Sequence, residues 1–150
     1  MKSRHLVWTG CMMYLVAWAV PVVKGGITLP EGLPGWQAFR VAASPVWPYE
    51  DVRYDSWYGA VLATASAGTN CLMISLAWLA SLVSPRLHRV RAGAALAAFI
   101  VNAHWFVLMN DRADLRLGYF LWWFSFLVIG YSLFRLSKGY PTGLVGHPAA

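Results

Sequence analysis

The sequence predicts an all-α, polytopic membrane protein with four transmembrane helices and a short interfacial helix in the first external loop. Three observations carry that expectation. Of the 150 residues, 59% are hydrophobic and 12% charged, about half the ~25% charge of ordinary soluble domains. The apolar residues gather into four runs, none with an Asp, Glu, Lys or Arg at its centre. Nine Trp, within an aromatic content of 15%, suit a protein with long interfacial boundaries. At this length one membrane domain, residues 1–150, is the default. A soluble core of this size cannot hide so much apolar surface, whereas lipid can.

A helix needs ~20 mostly apolar residues to cross the hydrocarbon. The four runs extend from about His5 to Val23, Trp57 to Val83, Ala92 to Leu108 and Leu117 to Leu136. They leave an external loop over 24–56 and a cytoplasmic tail over 137–150. The first run also has features of a signal peptide: Lys2 and Arg4 at its start and Ala17-Trp18-Ala19 as a cleavage-like triplet. Val20 and Pro21 follow at once, and a proline so near the cut is unfavourable. Trp8-Thr9-Gly10-Cys11 faintly suggests a lipoprotein site, but too few apolar residues precede Cys11. The expectation is a retained helix.

Orientation follows from the basic residues beside the spans. One face collects seven, namely Lys2, Arg4, Arg86, Arg89, Arg91, Arg135 and Lys138. The other collects five, Lys24, Arg40, Arg53, Arg112 and Arg116, together with all six acids. The cluster from Arg86 to Arg91 lies in a short connection, where the rule acts best, so that face is assigned to the cytoplasm along with both termini. The net charge of +6 would suit nucleic acid only on a soluble basic face. Here the cations sit at the ends of apolar runs, so membrane lipids are the expected partner and nucleic acid is not. Cys11 and Cys71 lie inside apolar runs and form no Cys-x-x-Cys pair, so a redox or zinc motif is missing.

Within the external loop, Gly and Pro recur too often from Lys24 to Pro34 for a long helix or a sheet. Trp36, Phe39, Ala43 and Trp47 then follow helical spacing, and Pro45 should end the helix at Ser44. This predicts a short amphipathic helix in the outer interface, with its aromatic face toward lipid or bundle and Gln37 and Arg40 toward water. From Trp47 to Tyr58 aromatics and acids alternate. The plain reading is an interfacial aromatic belt. The functional reading is a recognition surface built from Trp36, Phe39, Arg40, Trp47, Tyr49, Glu50, Asp51, Arg53, Tyr54 and Asp55, since aromatic and Arg anchors typify interface hot spots. Leu33-Pro34-Gly35-Trp36-Gln37-Ala38-Phe39, just after a first membrane helix, resembles a segment of uncharacterised small bacterial four-helix inner-membrane proteins. The resemblance covers that motif and the layout of the spans. It implies a bacterial inner-membrane location and carries over no catalytic residue.

The second span has small residues at every fourth position, Gly59, Ala63, Ala67, Cys71 and Ser75, and the third offers Gly93-Ala94-Ala95-Leu96-Ala97-Ala98. Such rows let helix backbones approach closely in lipid, so these two spans are expected to pack against each other or to serve a homodimer. The fourth span is crowded with aromatics from Tyr119 to Phe126.

Polar side chains in hydrocarbon are costly, and each is a candidate site. Asn70 lies near the middle of the second span, and Asn102 and His104 lie in the third. An interhelical hydrogen bond between the two asparagines is the plain reading. As a haem ligand His104 lacks a second histidine at similar depth. As a metal ligand it has only Asp111 and Asp114, just outside the span, as companions. A hydrogen-bonded interfacial histidine is preferred, with no cofactor and no metal.

Elimination then narrows the function. Ion-coupled export wants an intramembrane carboxylate, thiol oxidation wants paired cysteines, and hydrolysis wants a nucleophile with base and orienting acid. Ser66 or Ser75 with His104 lacks the third group. Two classes are left. One is a non-catalytic protein that recognises another membrane or extracytoplasmic component, as an accessory subunit, a sensor or an immunity-type partner. The other is a small oligomeric pore or carrier lined by Asn70, Asn102 and His104.

Overall fold

The computed structural model describes residues 2–24, 32–50, 52–79, 85–108 and 114–138. These form five helices and a two-stranded ribbon: α1 Lys2–Ala19, β1 Pro21–Val23, β2 Leu33–Pro34, α2 Gly35–Ala43, α3 Trp57–Leu79, α4 Pro85–Leu108 and α5 Leu117–Lys138. The all-α class therefore holds, with a small addition.

That addition corrects the first span. Pro21 has no N–H to give a helix and disfavours helical backbone at Val20. So α1 stops at Ala19, and residues 21–23, expected to be membrane helix, run as strand β1. β1 pairs antiparallel with β2, Pro21 opposite Pro34 and Val23 opposite Leu33. The Gly and Pro content of the loop pointed away from any sheet. A ribbon this short escapes that argument, because prolines at strand ends sacrifice little hydrogen bonding. Val23 also bridges to Leu115. Lys24 N donates to Asp114 O at 2.6 Å and Arg116 N to Val22 O at 2.9 Å. These bonds tie the end of α1 to the start of α5.

The short helix expected after Pro34 is α2, and it ends before Ser44 as the following proline requires. α4 begins at Pro85, inside the connection expected to be loop, because proline suits the first turn of a helix. α5 runs to Lys138, two residues into the expected tail. The remaining tail, 139–150, lies outside the described residues.

α5 is the spine of the bundle, packed antiparallel along both α1 and α4. Tyr14 meets Phe126 edge to face at 6.4 Å. On the other side Phe99 stacks on Trp123 at 4.7 Å between centroids and 8° between planes. Gly130 eases the α4 approach: a Cβ there would stand a tight 3.3 Å from Ala95 Cβ and 3.4 Å from Ala92 O. Ala92 and Ala95 of α4 thus face α5. On α3, Ala63 and Ala67 face the cap and pack with Ala42 and Ala43 of α2, while Cys71 of the same row is exposed. The second and third spans do meet, through Ser66 and Thr69 bonding Asn102, but not by their small rows. Both small rows exist, but each is matched to a different partner, and a small-residue row does not say which. Gly68, beside the α3 row, and Gly93, in the α4 run, meet nothing within 4 Å.

The main core cluster joins Tyr14, Met73, Ala92, Ala98, Phe126, Ile129 and Leu133. Among the described residues two helical stretches are long and apolar enough to cross a membrane, Leu87–Val107 and Leu117–Lys138, and His5–Ala19 is a shorter apolar helix.

Candidate functional site

Between the two ends of the bundle, polar side chains from all four long helices bond one another. Asn70 of α3 is the first node. Its Oδ1 accepts from Tyr14 Oη of α1 and from Trp122 Nε1 of α5, both at 2.9 Å. Its Nδ2 donates to Ser66 O at 3.3 Å. Asn102 of α4, fully buried, is the second. Its Oδ1 accepts from Ser66 Oγ at 2.7 Å, and its Nδ2 donates to Thr69 Oγ1 at 2.9 Å and to Ala98 O at 2.8 Å. Trp105 Nε1 donates to Ser66 Oγ at 3.0 Å, and Tyr119 Oη donates to Asn102 O at 2.9 Å. The two asparagines are not bonded directly. Ser66, on the helix that carries Asn70, joins them.

His104 stays outside this network. Its Nδ1 donates to Val101 O, one turn back on the same helix, at 2.6 Å, and its ring lies 4.6 Å from Trp105. Asp114, one of its two conceivable metal partners, pairs instead with Lys24 at 3.7 Å. Asp111 lies outside the described residues. Among the described residues no group of three or more His, Cys, Asp or Glu is placed to hold a metal ion.

Above the network lies a cavity of about 250 Å³. Its walls come from Ala17 and Trp18 at the end of α1, Val22 and Val23 of β1, Leu33 of β2, and Leu115. Ala38, Phe39, Val41 and Ala42 of α2 cover it, and Ser66, Asn70, Trp105, Tyr119 and Trp122 form the polar part of its lining. α2 seats this closely because residue 35 is glycine: any Cβ there would collide with the Ala17 carbonyl oxygen.

The outer surface of the cap is built by α2 and the chain that follows it. Arg40 does not simply face water as expected. Its guanidinium lies 3.4 Å over the Trp47 ring and 5.0 Å from the Tyr49 ring, with Nη2 donating to Pro48 O at a long 3.4 Å. Trp47 folds back over Arg40 because it lies past the end of α2, in the turn, where helical spacing no longer governs it. Arg40 Nη1 and Gln37 Oε1 are buried without a hydrogen-bond partner. The expected single aromatic face also divides. Phe39 and Ala43 pack inward, while Trp36 and Trp47 stay about half exposed. Tyr54 Oη donates to Val41 O at 2.8 Å and pins the α2–α3 connection. Burial pushes its phenol above the usual tyrosine value, and the Ser44 hydroxyl pulls the other way. Glu50 takes a left-handed backbone, φ 49°. Arg53 and Asp55 are exposed, and Asp51 lies outside the described residues.

The sequence singles out Asn70 and Asn102 as polar groups within apolar runs, and Ser66 only as a serine without a catalytic partner. It misses Tyr14, Trp105, Tyr119 and Trp122 as their partners, because Tyr and Trp suggest interface belts before interior donors. Their spacing holds the available signal: Tyr14 lies well inside its apolar run, and Trp122 is one turn beyond Tyr119.

No protein-family model, curated protein or solved structure matches the chain.

Proposed function

We propose that this chain is a non-catalytic integral membrane protein of four crossings that acts by binding another membrane or extracytoplasmic component through its outer cap. The reading of four crossings adds α1 and α3 to the two long apolar helices. α3 has 23 residues without a charged side chain. It is supported by an inside-out distribution of side chains. Trp8, Met12 and Leu15 of α1, Val61 and Ile74 of α3, Ile100 and Val107 of α4, and Leu127 of α5 are exposed, while Asn70, Asn102, Ser125 and Ser132 are buried. Apolar surface on that scale is costly in water and natural in lipid. In this reading the positive-inside rule puts both termini in the cytoplasm. The cap, with α2 lying in the interface, is then outside, and a bacterial inner membrane is the location.

The observation that carries the functional reading is where hydrogen-bonding capacity is left over. Asn70 and Asn102 are engaged with neighbours inside one copy of the chain. On the cap, Arg40 Nη1 and Gln37 Oε1 are buried and unmatched, beside exposed Trp36, Trp47, Arg53 and Asp55. Buried polar atoms normally find partners; these two, with Ser44 Oγ, are closed off, and a molecule that docks on the exposed rim and draws Trp47 off Arg40 would bring partners to them. The oligomeric pore would need Asn70 and Asn102 free to line a lumen, and their internal bonds speak for the first reading.

Copurification in mild detergent, paired with ion flux in liposomes, tests the choice. A stoichiometric partner lost on replacing Arg53 and Trp47, with no flux, is expected. Robust conductance abolished by Asn70→Ala would overturn the proposal in favour of the pore.

A further inference from the structure

We infer that the cavity beneath α2 is a lipid-chain site, built to take one acyl chain of an outer-leaflet phospholipid. The inference rests on the membrane reading above and goes beyond it by naming a ligand.

Three features point to a hydrocarbon chain. The first is size. An apolar cavity of about 150 Å³ is enough to bind benzene, and this one measures about 250 Å³. The second is chemistry. Its walls are Ala, Val, Leu, Phe and Trp. Of the polar groups that reach it, the Trp105 and Trp122 N–H groups are spent on Ser66 and Asn70. The Ser66 and Tyr119 hydroxyls donate to Asn102. A water needs two to four polar partners to be held in such a space, and with these donors committed an apolar guest competes well.

The third feature is depth. Ser66 and Asn70 stand about 14 and 20 Å along α3 from Trp57, at ~1.5 Å per residue. One leaflet of hydrocarbon is about 15 Å deep, half of a ~30 Å core. The chamber therefore runs from the outer end of the helices to about the depth an outer-leaflet acyl chain reaches. Its side walls at Ala17, Trp18 and Ala38 belong to the α1–α2 corner, where half-buried Trp18 and Phe39 rings pack at 5.5 Å. These rings close the corner, and a chain that parts them to enter keeps its headgroup in the interface.

Photolabelling of the full chain in vesicles of phosphatidylethanolamine and phosphatidylglycerol tests this. The probe is a phosphatidylglycerol with a diazirine in one acyl chain. The expected result is label on α2 and on Ala17 or Trp18, besides label on the lipid-facing residues Val61, Ile100 and Leu127. Ala42→Phe should fill the chamber and reduce its label about tenfold, leaving the outer label unchanged. Should Ala42→Phe fail to fold, Ala38→Leu, on a half-buried wall, makes the same comparison. Label at Val61, Ile100 and Leu127 with none in the chamber would overturn the lipid-chain site alone. Chamber label from a free diazirine fatty acid but not from the phospholipid would overturn the choice of ligand. Absence of label throughout would overturn the membrane reading and this site with it.

Discussion

The middle of the bundle and its outer cap use the same kinds of side chain to opposite ends. In the middle, Tyr14, Ser66, Asn70, Asn102, Trp105 and Trp122 join donors to acceptors across four helices. On the cap, Trp36 and Trp47 are half exposed, and Gln37 and Arg40 keep buried atoms unmatched. A polar side chain in an apolar bundle is therefore no pointer to chemistry by itself. What matters is whether its bonds close within the chain. By that measure the interior network closes within the chain, and the cap keeps unmatched atoms.

The sharpest way to break this contrast is at Asn102. Asn102→Ala strands the Ser66 hydroxyl and removes the bond to Thr69. The expected loss is about 2–4 kcal/mol, larger than one average interhelical bond in a membrane because buried partners are left unpaired. Reversible unfolding in mixed micelles measures it. Asn70→Ala should cost a similar amount, since both Tyr14 and Trp122 lose their acceptor. A cost below about 0.5 kcal/mol for both would remove the structural role given to the network.

Gly35→Ala comes next. Its Cβ meets the Ala17 backbone, which cannot yield as a side chain would, so about 1–3 kcal/mol is expected from overpacking. The loss should appear as faster proteolysis of the 44–56 segment before global unfolding.

Tyr54→Phe should cost about 1 kcal/mol through the lost bond to Val41 O. It also has a pH signature. The folded phenol pKa is raised, so its stabilisation is complete below the unfolded value of ~10. It is lost as pH rises through the folded pKa. The α2–α3 corner should loosen in strong alkali in the native protein, and Tyr54→Phe should abolish that loosening, as followed by hydrogen exchange of α2.

His104→Ala provides the smallest effect, under about 1 kcal/mol, because the hydrogen bond of its side chain runs to its own helix. A larger loss would give His104 a role that the geometry does not.

Much of this is legible in the residues. Four apolar runs mark the long helices, and the spacing of Trp36 to Ala43 with Pro45 marks α2 nearly to its ends. The turn of α1 into β1 is written in Pro21, yet hydropathy counts Pro21, Val22 and Val23 as span without asking what their backbone can do. Which neighbour each small row meets is not legible. The small rows of α3 and α4 look complementary, yet α5 supplies Gly130 to one and α2 supplies Ala42 and Ala43 to the other. The network is half legible: asparagines advertise themselves in an apolar run, whereas Tyr14 and Trp122 act as donors only once the fold sets them beside Asn70. The cavity has no signal at all, since it belongs to the space between elements.

Sidedness of single cysteines tests the account of a four-crossing bundle with an outer cap most directly. With Cys11 and Cys71 replaced by Ala, one cysteine is introduced as Arg53→Cys, Arg89→Cys or Ile100→Cys, and intact spheroplasts are treated with a membrane-impermeant maleimide. The expected result is labelling at 53 without permeabilisation, at 89 only after it, and at 100 in neither case. Labelling of 53 and 89 from the same side, or ready labelling at 100, would contradict it.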